Sequence, residues 1–144
     1  MINNKIAEID VLDNKYYEKI DQSDASCFYL PDINPGEPVL FDGQCDPNIP
    51  VVQNFNAPAY AGRWRMIETY ASDFQDPTAT CSEATYTLSD GFVDVYNTQV
   101  INQTLDVING NATVASTDGS AKLIVNFPDA PVPSDYWVLS TDYN

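Results

Sequence analysis

The sequence predicts an all-β fold, an antiparallel up-and-down meander that closes as a barrel or a sandwich. Three observations carry the prediction. From residue 63 onward, short runs alternate apolar and polar side chains and are rich in Val, Tyr and Phe. Turn residues separate those runs, notably Ser89-Asp90-Gly91 and residues 116–120. A proline-bearing turn leads into Gly62-Arg63-Trp64 at the head of the β-rich part. There a glycine permits close backbone approach, and a large apolar ring can plug one end of a sheet or barrel.

In chain order, Ile2, Ile6, Ile9 and Leu12 (or Asp13) stand at helical spacing and predict a short amphipathic helix. Residues 16–20 form a short extended segment, with Tyr16 and Tyr17 expected to cover the barrel exterior. Residues 31–50 carry Pro31, Pro35, Pro38, Pro47 and Pro50, the composition of a linker or wrapping arm. Six strands are then expected over 63–70, 81–88, 92–101, 105–115, 121–127 and 136–141. Loops fall at 73–78 and 128–134, and a turn falls at 102–104. Period-2 alternation puts Leu123, Val125 and Phe127 on one face, Ala84, Tyr86 and Leu88 on another, and Val93, Val95, Asn97 and Gln99 on a third.

Composition bounds the function. A chain of 144 residues with 44% hydrophobic content is about one domain with enough apolar mass for a core. The net charge of −15 sets 21 acidic residues against 6 basic ones, so no basic stripe meets phosphates or an anionic membrane. The plain reading of the acid excess is solubility. With no histidine, Ser-His-Asp and Cys-His catalysis is excluded, and the commonest metal ligand is absent, so no metal site is expected. The three cysteines, Cys27, Cys45 and Cys81, form no C-x-x-C pair. Asn102-Gln-Thr and Asn111-Ala-Thr are N-glycosylation acceptors that, beside scattered cysteines, point to a secreted, oxidising setting. Residues 1–8 lack the apolar core of a signal peptide, and no run approaches the length of a membrane span.

Four linked matches then carry a family resemblance. They are Cys45 with Val51-Val52-Gln53-Asn54-Phe55, Tyr60-Ala61-Gly62-Arg63-Trp64, Cys81 five residues before Tyr86, and residues 136–143 ending in Thr141-Asp142-Tyr143. Residues 45–144 resemble the first two thirds of a lipocalin, in the branch of apolipoprotein D and the insect bilin-binding proteins. The resemblance implies an up-and-down barrel that is incomplete here, with about six of eight strands, a short N-terminal helix and an arm. Residues 1–30 resemble a lipocalin C-terminus, 31–50 a linker, and 51–144 strands A to F. Two explanations stand: a piece of a tandem-repeat lipocalin, which the proline-rich stretch favours, or a truncated or rearranged product. By the same resemblance Cys27 would bond Cys81, or an upstream partner if repeats are in tandem, and the family partner of Cys45 would lie on the seventh barrel strand, which is missing from residues 45–144. Unpaired strand edges imply self-association.

The implied function is extracellular binding or transport of a small hydrophobic ligand: a bilin, carotenoid, retinoid, sterol or fatty acid. No cofactor is required; biliverdin or another apolar molecule would be the cargo. The resemblance places Tyr86, Asn97 and Gln99 on pocket-lining positions, and alternation adds Val95, Leu123, Val125 and Phe127. Core packing is the plain alternative for the aliphatic residues, and a structural plug for Trp64. Arg63 and Arg65 are expected to be solvated or paired with carboxylates, and Asp142 to cap backbone amides. The chain is not expected to be an enzyme. The alternatives are a structural repeat of a pigment or storage assembly and, more remotely, a lipocalin-type isomerase.

Overall fold

The computed structural model describes residues 16–20, 47–69 and 75–144. The elements are β1 (Tyr16–Ile20), α1 (Ala57–Tyr60), β2 (Gly62–Glu68), β3 (Thr80–Ser89), β4 (Phe92–Ile101), β5 (Thr104–Val114), β6 (Lys122–Asn126) and β7 (Ser134–Trp137). They form one seven-stranded sheet in the order β1-β2-β3-β4-β5-β6-β7, and every adjacent pair is antiparallel. Sequential neighbours pair because most of the connections are short, and short connections cannot cross a sheet.

The turns show why the register holds. Ser89 pairs with Phe92 across a two-residue loop, and Gly91 takes φ +86°, where a Cβ would be strained. Ile101 pairs with Thr104 across Asn102 and Gln103, both at positive φ (49° and 63°), the backbone of a type I′ turn. In the β5–β6 turn the Asp118 carboxylate accepts from the Ser120 amide at 2.9 Å. Hydrogen bonds from Ser120 hold the Asp118 carboxyl below its ordinary value. Cys81 sits where the β3–β4 register shifts, at φ 57°, the mark of a bulge.

Four expectations need correction. The extended segment at 16–20 is a full partner in the sheet, pairing with residues 63–68 of β2, so it adds a strand to the six expected from residue 63 onward, which are β2 to β7. The proline-bearing turn before Gly62 is a single helical turn, α1. Asn56 caps it, its side chain accepting from the Ala59 amide at 3.1 Å, and Pro58 stands in the first turn, where its missing N–H costs nothing. The last strand is β7 over 134–137, not 136–141. Beyond Trp137, the Val138 carbonyl accepts from Val52, and the Thr141 and Asp142 side chains take the Tyr143 and Asn144 amides, which ends the strand. Leu88 shares the parity of Ala84 and Tyr86 but is 43% exposed against their 3% and 7%, because it lies past the core at the β3–β4 hairpin. The expected helix at 2–13, residues 31–46 of the arm, Cys27 and Cys45 lie outside the described residues.

The core fills one end of the curled sheet. Trp64 is 0% exposed, stacks on Tyr60 (4.9 Å between ring centroids, 28° between planes) and donates its indole N–H to the Tyr60 carbonyl at 2.9 Å. The segment before α1 crosses this end. Val52 N donates to Val138 O, Ala121 N to Val52 O and Phe55 N to Gly119 O, at 2.9, 2.8 and 2.9 Å. Ala121 and Val138 beneath it are fully buried. Tyr143 reaches back to accept from the Asn56 amide at 3.0 Å. The end is therefore sealed by aromatic stacking and by backbone bonds from a segment outside the sheet.

Candidate functional site: an apolar cup with a tyrosine cluster

The inner face of the sheet lines a cavity of about 730 Å³. That is within the range of small-molecule sites, roughly 300–1,000 Å³. Its depth follows from the ladders. Tyr86, Val95 and Gly110 stand side by side near the sealed end, Ala84, Asn97 and Ile108 one step outward, and Gln99 and Asp106 near the mouth. Residues 129–132, in the loop after β6, also line the cavity.

All seven expected ligand-facing residues line this cavity: Tyr86, Val95, Asn97, Gln99, Leu123, Val125 and Phe127. Val95, Leu123 and Val125 are buried (4%, 3% and 8% exposed), and Phe127 is half-buried beside them. The strand parity read from the sequence therefore holds on β3, β4 and β6. Those apolar walls are also core, since they pack against Trp64, Tyr60 and Met66 in one cluster.

The sequence reading missed the polar centre of the cup. The hydroxyls of Tyr60 and Tyr86 each lie 2.9 Å from the hydroxyl of Tyr136, which joins β3, β7 and α1 into one buried cluster. The Tyr60 and Tyr86 rings are stacked at 5.4 Å. The bonded residues are 76 and 50 positions apart, so no local pattern reveals the convergence. The available signal was parity: Ser134, Tyr136 and Val138 alternate as an inward face. Burial pushes the Tyr136 phenol well above its ordinary value, so this hydroxyl at the centre of the cluster is uncharged at neutral pH.

The cluster makes a pH prediction. A tyrosine in an unfolded chain ionises near about pH 10. The folded Tyr136 ionises higher, so above that pH the unfolded state holds fewer protons, and stability falls as pH rises. Tyr136→Phe should flatten this alkaline loss. At neutral pH the same change should cost about 1–3 kcal/mol, because it removes the oxygen that two hydroxyls bond. Urea midpoints of both proteins from pH 7 to 11 check it, and parallel alkaline slopes would show the assignment to be wrong.

The two amides differ. Gln99 Nε2 donates to Asp106 Oδ2 at 2.8 Å and is engaged at the mouth. Asn97 Oδ1 is buried and accepts no hydrogen bond among the described residues. Arg63 and Arg65 both bind Glu83, Arg63 Nη2 at 2.5 Å and Arg65 Nη2 at 3.2 Å, which is the second of the two placements expected of them. Asp142 accepts from the Asn144 amide at 3.1 Å, the capping role expected of it. Cys81 is disulfide-bonded, and its partner lies outside the described residues. Asn102 and Asn111 are both exposed, on the β4–β5 turn and on β5. Among the described residues no cluster of three or more His, Cys, Asp or Glu could hold a metal ion, and no helix is long and apolar enough to cross a membrane.

A sequential antiparallel meander, curled around an apolar interior and sealed by a stacked tryptophan, defines an incomplete up-and-down β-barrel built around a cavity. Residues 55–144 match the family model described as a lipocalin-like domain. The chain belongs to the lipocalin family, and its relatives place it in the branch of apolipoprotein D and the insect proteins. It is 35% identical over 103 residues to Apolipoprotein D of Mus musculus, covering 70% of this chain and 53% of that protein. It is 37% identical over 98 residues to the Lazarillo protein of Schistocerca americana, covering 65% and 45%. Temperature-induced lipocalin-1 of Arabidopsis thaliana is 39% identical over 100 residues, covering 64% and 54%. The chain spans about half the length of the curated relatives it matches.

Proposed function

We propose that this chain binds a small hydrophobic molecule inside the cup as a carrier, without turning it over. The observation that supports the reading most is the cavity itself: about 730 Å³, with apolar walls at Val95, Leu123, Val125 and Phe127 and polar side chains such as Tyr86, Asn97 and Gln99 among them. An interior of that size would otherwise be filled by side chains, as in small barrels that bind nothing. Tyr86, Asn97 and Gln99 are the polar residues we assign to the ligand, with Asn97 Oδ1 the buried acceptor that has no hydrogen bond among the described residues. A bilin such as biliverdin, a carotenoid, a retinoid, a sterol and a fatty acid all fall within this class.

The setting we propose is extracellular. An oxidised Cys81 fits an oxidising compartment, and Asn102 and Asn111 are exposed, as glycan acceptors must be. Cys27 is the bonding partner we assign to Cys81, on family resemblance. Among the described residues β1 and β7 are the end strands of the sheet, so self-association through an edge belongs to the same proposal.

Titration with Nile red, an uncharged environment-sensitive dye, tests the binding reading. Saturation near one equivalent, lost when Leu123→Trp fills the cup, is the expected result. A non-saturating signal, or one indifferent to Leu123→Trp, would favour the alternative of a structural repeat with an incidental cavity.

A further inference from the structure

The charges around the cup narrow the ligand, on the footing that the cup binds one. Three cations have described side chains, and each is placed elsewhere. Arg63 and Arg65 hold Glu83 across β2 and β3. Lys122 donates to the Pro47 carbonyl at 2.9 Å and lies 4.1 Å over the Trp137 ring. Among the described residues, no Lys or Arg lines the cavity, while three acids do: Asp106, Asp129 and Glu83, the last already paired with Arg63 and Arg65. The whole chain adds a net charge of −15. A carboxylate entering the cup would leave water, approach like charge and, among the described residues, find no cation in the lining, each of which is unfavourable.

The interior asks for a donor. Asn97 Oδ1 is buried, lines the cavity and has no hydrogen bond among the described residues. An acceptor left without a donor in a dry site costs about 1–3 kcal/mol, which a ligand O–H would recover. A carboxylate has no proton to offer it, and a bare hydrocarbon leaves it as it is. The ladders put Asn97 between the tyrosine cluster and the mouth. A hydroxyl bonded there leaves the apolar body of the ligand to fill the space beside Val95, Leu123 and Val125.

We propose that the cup selects an uncharged apolar alcohol over a carboxylate of the same carbon skeleton, with Asn97 Oδ1 accepting the hydroxyl proton. Within the classes named above, this favours retinoid or sterol alcohols and hydroxylated carotenoids, and it disfavours fatty acids and the propionate-bearing bilins.

Three probes share one skeleton: retinol, its methyl ether and retinoate. Quenching of tryptophan emission reports each, at low and at physiological salt. Retinol should bind at least about tenfold tighter than retinoate and than the ether. Asn97→Leu should remove most of the preference over the ether while leaving the far-ultraviolet circular dichroism unchanged. The comparison of retinol with its ether in the unaltered chain needs no variant, so it stands even if Asn97→Leu folds poorly. Retinoate binding as tightly as retinol would overturn the charge selection, and an ether equal to retinol would overturn the role of Asn97. Saturable Nile red with no retinol binding would overturn this inference and leave the carrier reading intact. If neither saturates, both fall.

Discussion

Replacing Trp64 with alanine should lower the stability of this protein by about 3–5 kcal/mol, the cost of emptying a fully buried aromatic site. The ring is 0% exposed, stacks on Tyr60 and donates its N–H to the Tyr60 carbonyl at 2.9 Å. The substitution therefore removes buried area and a stack, and leaves a buried carbonyl without this donor. Tyr60 in turn carries one hydroxyl of the cluster centred on Tyr136. The damage should reach the cup, with weaker dye binding at temperatures where the variant is still folded. Chemical denaturation with matched slopes measures the first effect. A loss below about 1 kcal/mol would mean that the sealed end can collapse around the missing ring and is not the keystone of the core.

Gly110→Val should be the other large effect, because two physical tendencies oppose each other there. Gly110 lies inside β5, where β-propensity alone favours valine by up to about 1 kcal/mol. Yet a Cβ at this position would collide with the Asn126 carbonyl oxygen and stand only 2.5 Å from the Phe127 ring. The carbonyl belongs to the backbone of the neighbouring strand and cannot rotate away. Overpacking of this kind costs about 1–3 kcal/mol, and a backbone clash belongs at the upper end. Sterics should win, with a net loss near 2–3 kcal/mol. Phe127 lines the cavity, so its displacement should also change dye affinity. A valine variant as stable as the parent would show that β5 and β6 can separate at no cost, which the ladder from Asn111–Asn126 to Val114–Leu123 argues against.

Both cases show how the two levels of information divide. The inward parity of Val95, Leu123 and Val125 was legible because a strand repeats every two residues, and that period survives any arrangement of the strands. The turns at Gly91 and Asn102 were legible because local backbone geometry selects their residues. Trp64 as a plug was legible from its size and its place at a strand start. The steric constraint at Gly110 was not, since it is set by Asn126 and Phe127 on another strand.

The sequence by itself determined the meander, the faces of β3, β4 and β6, the acidic charge that argues against nucleic acid, and membership of the lipocalin family. Each depends on local period, local turn chemistry, composition or a linear motif. The tertiary structure decided that residues 16–20 complete a seventh strand and that the hydroxyls of Tyr60, Tyr86 and Tyr136 meet. It also decided that Gln99 is engaged by Asp106 while Asn97 Oδ1 is buried with no hydrogen bond among the described residues. Those outcomes depend on which atoms from distant positions share one small volume. Sheet curvature and register set that volume, and neither is written in any single strand.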